Sequence, residues 1–323
     1  MILPTHQKPL VARYRMRSRG FLNAISRRRE FEGALIRVGD GFGCIHPWPE
    51  LGDPSLEKCL EDLQGPQRYP IVRRALRCAE YDQVARQASE SLFEEMEVPR
   101  SHATLTSSDA ANVNQAVDAG FDMIKLKAGH DLEKEADFLE LMSQEYPQLK
   151  WRIDFNESAD AEAVRKFLLG LPEKVRRAID FLEDPCPYSD EVWKNLNRQT
   201  RVNLAVDRES APQSKSAQVM VIKPAVDEPY LLGEAALQNS QRAILTSYMD
   251  HPLGQAFAAW EAARLELQLP GLVGVCGLQT HHLFEPDEAS EQLGAWKPEF
   301  TIPDGTGLGF DDYLDALPWT RLY

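Results

Sequence analysis

The chain has 323 residues, of which 43% are hydrophobic and 27% charged, so its composition is that of an ordinary globular protein able to bury a core. Its net charge of −14 argues against nucleic acid as a main partner, and no run approaches the roughly 20 apolar residues that a membrane span requires. Five cysteines lie far apart without a CxxC pair, which predicts reduced thiols in a cytoplasmic protein rather than disulfides.

Residues 1–98 are predicted to form an α+β capping domain. Their patterns are two strands within 1–38, a loop rich in Arg and Ser at 18–32, a turn rich in Gly, Pro and aromatic residues at 39–52, and helices at 56–63 and 71–95. The C-terminal tail, 289–323, contains several Pro and Gly residues and little helical period. It is predicted to pack back on the capping domain.

Residues 99–288 alternate between short β-like runs and amphipathic helical stretches, which predicts βαβ units and a parallel sheet. The β-like runs are 103–105, 123–127, 151–155, 178–182, 203–206, 219–223, 243–247 and 272–275. The clearest helical stretches are 107–119, 132–146, 158–169 and 253–267. Eight strands in one series predict an α/β protein with a closed (β/α) barrel, a modified TIM barrel, although an open doubly wound sheet fits the same pattern.

Acidic residues end three consecutive predicted barrel strands. Asp154 belongs to the third strand, Glu183 ends the fourth and Asp207 follows the fifth. Because barrel active sites form at the C-terminal ends of the strands, these three carboxylates can converge on one point. Magnesium prefers oxygen ligands and keeps positions for water or substrate, and manganese accepts the same oxygens. The sequence therefore predicts a site for Mg2+, with Mn2+ as an alternative ion.

Lysines flank these acids on the neighbouring predicted strands. Lys125 and Lys127 lie two residues apart on the second strand and so share its inward face, while Lys223 ends the sixth. A metal between ammonium groups suits removal of a proton next to the carboxylate of a small-molecule substrate, because the developing dianion must be stabilised. A second lysine and a metal nearby are expected to bring the pKa of Lys127 from ~10.4 towards ~7–8, where a general base is effective.

The order of these motifs resembles the enolase superfamily, and within it the muconate-lactonizing-like subgroup. The motifs are K-x-K at 125–127, D-x-N at 154–156, E-D-P at 183–185, Asp207, and K-P at 223–224. Segments 151–156, 181–186 and 221–224 are similar to the o-succinylbenzoate synthase family of menaquinone biosynthesis. The resemblance implies a (β/α) barrel with a capping domain and a magnesium-dependent lyase.

The resemblance also implies roles for individual residues. Lys127 would abstract the proton and then, in its acid form, assist loss of hydroxide, which is a one-base syn elimination of water that yields an aromatic ring. Lys223 would stay protonated and stabilise the enediolate across the ring face, and Lys125 would orient the carboxylate. The implied substrate contacts are Arg152, Asn156, Ser247 and Tyr248. Loop 18–32 would close over the substrate.

Three regions depart from the family pattern. Cys44 and Ile45 stand where an acid is usual after the capping turn. The segment that begins at Asp207 has one extra residue before its serine, so Glu209 is a rival metal ligand. Tyr248 stands where small polar residues are common, which affects the predicted substrate pocket.

Two other functions stay open on the sequence alone. A racemase or epimerase of the same superfamily, acting on N-acyl amino acids or dipeptides, would use Lys127 and Lys223 as two bases on opposite faces of the substrate. A barrel that binds a ligand without catalysis would also fit the altered capping turn. The sequence does not indicate an oligomeric state.

Overall fold

The first part of the structure is an antiparallel sheet covered by helices. The computed structural model describes residues 8–22, 27–207 and 213–322. The sheet has the order β11-β1-β2-β3, with strands β1 (Leu10–Arg17), β2 (Glu30–Val38), β3 (Gly41–Ile45) and β11 (Thr320–Arg321). Helices α1 (Leu56–Leu63) and α2 (Pro70–Ala88) bury their apolar faces against Ile36 and Ile45 of this sheet.

A second sheet of seven parallel strands forms the barrel. Its strands are β4 (Ala103–Leu105), β5 (Met123–Lys127), β6 (Lys150–Asp154), β7 (Ile179–Glu183), β8 (Leu204–Val206), β9 (Val219–Ile222) and β10 (Arg242–Leu245). They pair in strict chain order from β4 to β10, as a (β/α) barrel requires. The predicted α/β class, with a barrel and an α+β capping layer, is confirmed.

The predicted eighth strand at 272–275 is not a regular strand. The chain there makes isolated parallel bridges, Val273 to Ala243 and Gly277 to Thr246 on one side and Cys276 to Ser101 on the other. These bridges join the β10 edge to the segment that leads into β4. The glycine-rich sequence closes the ring without forming a continuous ladder.

Helices follow most of the barrel strands and cover the outside. They are α3 (Ala110–Asp118), α4 (Leu132–Glu145), α5 (Ala161–Gly170), α6 (Glu173–Ala178), α7 (Asp190–Thr200), α8 (Pro229–Gln238) and α9 (Pro252–Gln268). Two short helices come later, α10 (Glu288–Glu291) and α11 (Asp311–Ala316), and 3-10 turns lie at Pro49–Leu51 and His281–Leu283. No helix in the described ranges is both long and apolar enough to cross a membrane.

Side-chain alternation along the strands separates the outer core from the site. On β5, Ile124 and Leu126 face outward and are fully buried in a cluster with Trp151. The residues between and after them, Lys125 and Lys127, therefore face the barrel interior, because successive strand residues point to opposite faces. Both faces of the barrel sheet are thus buried, and its inner face carries a row of charged side chains.

The C-terminal tail returns to the N-terminal sheet. Strand β11 pairs antiparallel with β1 through Val11 and Thr320. Asp82 of α2 accepts hydrogen bonds from the backbone amides of Phe42 and Leu308, at 2.9 and 2.7 Å, and so ties the tail to the same layer. The domain boundaries at residues 98 and 288 stay a prediction.

Candidate active site

The charged residues singled out in the sequence lie at one end of the barrel. Strand register places Lys127 level with Asp154, and Asp154 level with Glu183. Asp207 directly follows β8 and Lys223 directly follows β9. Because the strands are parallel neighbours in the order β5 to β9, the acids occupy the middle of a row and the lysines its two ends.

Every member of this row makes at least one ion pair. Lys125 Nζ lies 2.6 Å from Glu183 Oε1 and 3.0 Å from Asp154 Oδ2. Lys127 Nζ lies 2.5 Å from the same Asp154 oxygen, and Lys223 Nζ lies 2.5 Å from Asp207 Oδ2. The structure therefore brings together the three lysines and three carboxylates that the sequence predicted.

Residues just beyond the strand ends orient the acids. Asn156, in the left-handed region with φ 48°, donates from its backbone and side-chain nitrogens to Asp154 Oδ1 at 3.0 and 2.9 Å. Asp184, with φ 40°, accepts a hydrogen bond from the Asp207 backbone amide at 3.0 Å. Sequence reasoning missed the role of Asp184, although its position between Glu183 and a proline was visible. Such left-handed conformations are strained for non-glycine residues and cluster at functional sites.

Burial makes the acids strongly dependent on their counter-charges. Burial, and next the neighbouring carboxylate of Asp154, raise the pKa of Glu183 to about 7. Burial alone would also raise the pKa of Asp154, but the ammonium groups of Lys125 and Lys127 hold it well below its usual range. Burial, with Asp207 and Glu183 nearby, keeps the pKa of Asp184 well above its usual range. The cluster therefore has more buried acid than its lysines neutralise.

The donor set fits a divalent cation of the magnesium type. Asp207 Oδ1 is buried, and no described residue donates a hydrogen bond to it. Asp154, Glu183 and Asp207 supply hard carboxylate oxygens, which are the ligands that Mg2+ prefers. In the described ranges, no three His, Cys, Asp or Glu side chains lie close enough together to hold an ion, and the Lys125 ammonium contacts both Asp154 and Glu183. The residues fit the ion by chemistry, and its coordination stays a proposal.

A cavity opens in front of the lysines and is closed partly by the capping layer. Trp48 and Leu51 line it from that layer, and Ser247, Tyr248 and Thr280 line it from the barrel. Ser247 Oγ and Thr280 Oγ1 lie 2.8 Å apart and share a hydrogen bond. The cavity thus combines an aromatic and apolar wall with a pair of hydroxyls.

Tyr248 is held by two residues of the capping layer. Its hydroxyl donates to Asp53 Oδ2 at 2.9 Å, and its carbonyl accepts from Trp48 Nε1 at 2.9 Å. Asp53 Oδ2 also accepts from the Trp48 backbone amide at 2.8 Å. The ammonium of Lys223 lies over the ring of Tyr248, 5.9 Å from its centroid. Tyr248 therefore presents its ring, not its hydroxyl, to the cavity side.

Arg152 lies deeper in the barrel than a residue that contacts a substrate in the cavity would lie. It is fully buried and does not line the cavity. Its guanidinium donates to Asp180 Oδ2 at 2.9 Å, and to His102 Nδ1 and the Val275 carbonyl at 2.7 Å each. Sequence alternation correctly faced Arg152 inward, but it did not reveal these partners inside the barrel.

Comparisons with known proteins agree with this architecture. A family model described as "O-succinylbenzoate synthase, N-terminal domain" matches residues 9–85, and one described as "Enolase C-terminal domain-like" matches residues 108–227. An o-succinylbenzoate synthase of Bdellovibrio bacteriovorus is 32% identical over 314 residues, covering 93% of this chain and 94% of the relative. The chain belongs to the o-succinylbenzoate synthase family of the enolase superfamily.

Solved structures of the enolase superfamily share the fold at low sequence identity. A dipeptide epimerase from Enterococcus faecalis, complexed with Mg and a dipeptide, superimposes with a TM-score of 0.79 at 16% identity, over 94% of this chain and 98% of that one. A muconate lactonizing enzyme from Pseudomonas fluorescens gives 0.78 at 14% identity, over 96% and 98%. Enzymes with different reactions thus have this fold, so the reaction must be argued from the site.

Two features predicted from the resemblance to this superfamily lie partly or wholly outside the described residues. Glu209, the rival metal ligand, falls in the segment 208–212, which the structure does not describe. In the described part of loop 18–32, Leu22 lines the cavity. Arg28 of the same loop lies over the rings of Phe31 and Trp48, 4.4 and 5.5 Å from their centroids.

Proposed function

We propose that the protein is an o-succinylbenzoate synthase, a lyase that eliminates water from a succinyl-hydroxycyclohexadiene carboxylate in menaquinone biosynthesis. The observation that carries this proposal is family membership along nearly the whole chain, capping layer included. The three lysines and the acids between them supply groups that this chemistry needs. The native partner would then be a small dicarboxylate.

Lys127 is assigned as the base. It lies at one end of the charged row and forms an ion pair with Asp154. Its side chain is 12% exposed, so it can reach a substrate in the cavity. After taking the proton next to the substrate carboxylate, the same ammonium can protonate the departing hydroxide on the same face. A single positioned group therefore serves both halves of a syn elimination.

The remaining charges are assigned to stabilise the enediolate. Mg2+, held by Asp154, Glu183 and Asp207, would supply positive charge beside the substrate carboxylate. Lys125, inward of Lys127, orients that carboxylate, and its own position is fixed by two acids. Lys223 approaches from the opposite end of the row as an ammonium. Charges fixed in a buried site stabilise a dianion without reorganising as the reaction proceeds.

The cavity walls are assigned to substrate binding. Trp48, Leu51 and the ring of Tyr248 exclude water from the cyclohexadiene ring. The Ser247 and Thr280 hydroxyls can bind a substrate oxygen. Asn156 also lines the cavity, and its two hydrogen bonds to Asp154 orient that carboxylate.

The test is an ultraviolet assay for formation of the aromatic product from the cyclohexadiene precursor. We expect turnover that requires Mg2+ and is lost on chelation. Lys127→Ala should lower kcat by at least ~10²-fold, as loss of a general base does, whereas Lys134→Ala, an exposed lysine of α4, should leave kcat unchanged. No aromatic product from a folded, magnesium-loaded wild type would refute the proposal.

Epimerisation or racemisation is the second candidate, because Lys127 and Lys223 can act on opposite faces of a substrate. The two reactions differ in whether Lys223 must exchange a proton. Incubation with an N-succinyl amino acid or a dipeptide in heavy water separates them. Rapid α-deuteration with inversion, without aromatic product from the diene, would support the epimerase and exclude the synthase.

A further inference from the structure

His102 lies at the floor of the cavity and has no role in the chemistry described so far. It directly precedes β4, is only 2% exposed, and lines the cavity together with Thr104, Lys125 and Gly277. Buried polar side-chain atoms usually have a hydrogen-bond partner. Its surroundings therefore indicate what each nitrogen does.

Arg152 fixes the tautomer of His102. The guanidinium Nη1 lies 2.7 Å from His102 Nδ1, and a guanidinium can only donate, so Nδ1 must accept and carries no proton. Arg152 is itself fixed by Asp180 and the Val275 carbonyl. Burial, and next the charge of Arg152, hold the pKa of His102 well below its usual range, so the ring is neutral. The single ring proton is then on Nε2.

The edge of the ring that carries Nε2 packs against Gly277, which lines the same cavity. A Cβ on Gly277 would lie 2.8 Å from both Nε2 and Cε1 of His102, so only glycine admits the ring in this position. Within the described part of the chain, the one hydrogen bond of the His102 ring is that from Arg152. Because Nε2 carries the ring proton and the ring lines the cavity, a hydrogen-bond acceptor that enters the cavity can bind there.

We propose that His102 donates a hydrogen bond from Nε2 to a carboxylate oxygen of the bound substrate, with Arg152 as its positioning residue. The inference rests on the proposed function for the identity of that substrate. It also gives Arg152 a connection to the ligand through the imidazole, in place of direct contact. A neutral donor at this position adds directionality next to the charged ammonium of Lys125.

The direct test is nuclear magnetic resonance of the magnesium-loaded protein labelled with ¹⁵N-histidine, whose seven histidines are few enough to assign with single variants. We expect His102 to carry its proton on Nε2 and leave Nδ1 unprotonated. Saturation with the aromatic product should shift the Nε2 proton downfield. A ring protonated on Nδ1, or an Nε2 signal that saturating product does not move, overturns the inference.

Product affinity measured by calorimetry gives a second, independent test. His102→Phe keeps the ring shape without the donor and should raise the product Kd by about 10- to 100-fold, the range for a lost hydrogen bond to a charged group. His102→Gln keeps an N–H near the Nε2 position and should recover most of that loss. His281→Phe, a buried histidine of a neighbouring groove, is the matched control and should bind as the wild type does.

The outcomes separate the two proposals. A wild type that neither forms nor binds the aromatic product refutes the proposed function and this inference with it. A wild type that does both, with a His102→Phe variant of equal affinity, overturns this inference alone. His102→Gln and His102→Phe both remove the imidazole and could therefore destabilise the fold. Thermal unfolding of each variant shows whether a loss of affinity comes from the missing donor or from a loss of folded protein.

Discussion

Replacing Lys125 by Met should destabilise the protein far more than the same change at a surface lysine. Lys125 bridges Asp154 and Glu183 at 3.0 and 2.6 Å, and all three side chains are at most 9% exposed. Removing one partner of a buried ion pair costs ~3–5 kcal/mol, because the charge left behind is uncompensated. Lys134 makes an ion pair of similar length, 2.7 Å to Asp131, but is 83% exposed, so Lys134→Met should leave the free energy of unfolding close to that of the wild type.

Magnesium should reverse much of the loss in Lys125→Met, because a divalent cation supplies the charge that both carboxylates need. The assay is guanidinium unfolding of both variants and the wild type, in chelator and in saturating Mg2+. An ion at 100 times its Kd stabilises the folded state by ~2.7 kcal/mol, and the gain should be larger in Lys125→Met than in the wild type. Equal losses for the two lysine variants in chelator, or a smaller magnesium gain in Lys125→Met, would refute this account of the charged row.

Two further predictions concern groups outside that row. Tyr248→Phe and Asp53→Ala each remove one partner of the hydrogen bond between the capping layer and the site. A double-mutant cycle on product affinity should give a coupling of ~1–3 kcal/mol, and additive effects would contradict the contact. Burial raises the pKa of Asp250 to about 7, so this carboxyl lowers stability as pH rises from its unfolded pKa near 4 to about 7. In urea unfolding, the free energy of unfolding of Asp250→Asn should therefore equal that of the wild type near pH 4 and exceed it by up to ~4 kcal/mol above pH 7. The control Asp315→Asn, which changes an exposed residue of α11, should show no such difference.

Much of the charged row could be predicted from the sequence because two simple rules determine it. Strand alternation decides that Lys125 and Lys127 face inward together, and parallel pairing decides that strand ends are level. Asp154 and Glu183 follow from the same rules, since each is the last residue of a parallel barrel strand. These rules need only local sequence.

Contacts across the barrel could not be predicted in the same way. Arg152 was correctly faced inward, but its partners His102 and Asp180 lie 50 and 28 residues away in sequence. Alternation gives the face of a strand and not the depth of a side chain along the barrel axis. The position of His102 also depends on Gly277, because a side chain there would collide with the imidazole ring. A single glycine is not a motif that can be recognised in the sequence.

Helix and strand ends show the same limit on a smaller scale. The helix predicted to reach residue 95 ends at Ala88, because Ser89 adopts a left-handed conformation, φ 59°, and its amide caps the helix. The helix predicted from residue 158 begins at Ala161, where Asp160 provides the cap. Several residues near each end were chemically acceptable caps, and tertiary packing selects among them.

The capping layer contributes to the site from two directions, both of which converge on Lys223. Trp48 and Asp53 fix Tyr248, whose ring lies beneath the Lys223 ammonium. From the other side, Arg74 of α2, buried at 3% exposure, donates at 2.9 Å to the carbonyl of Pro224, the residue after Lys223. The layer therefore sets both the surroundings of Lys223 and the start of the turn that follows it. The position of Lys223 therefore depends on the capping layer as well as on its ion pair with Asp207 in the barrel.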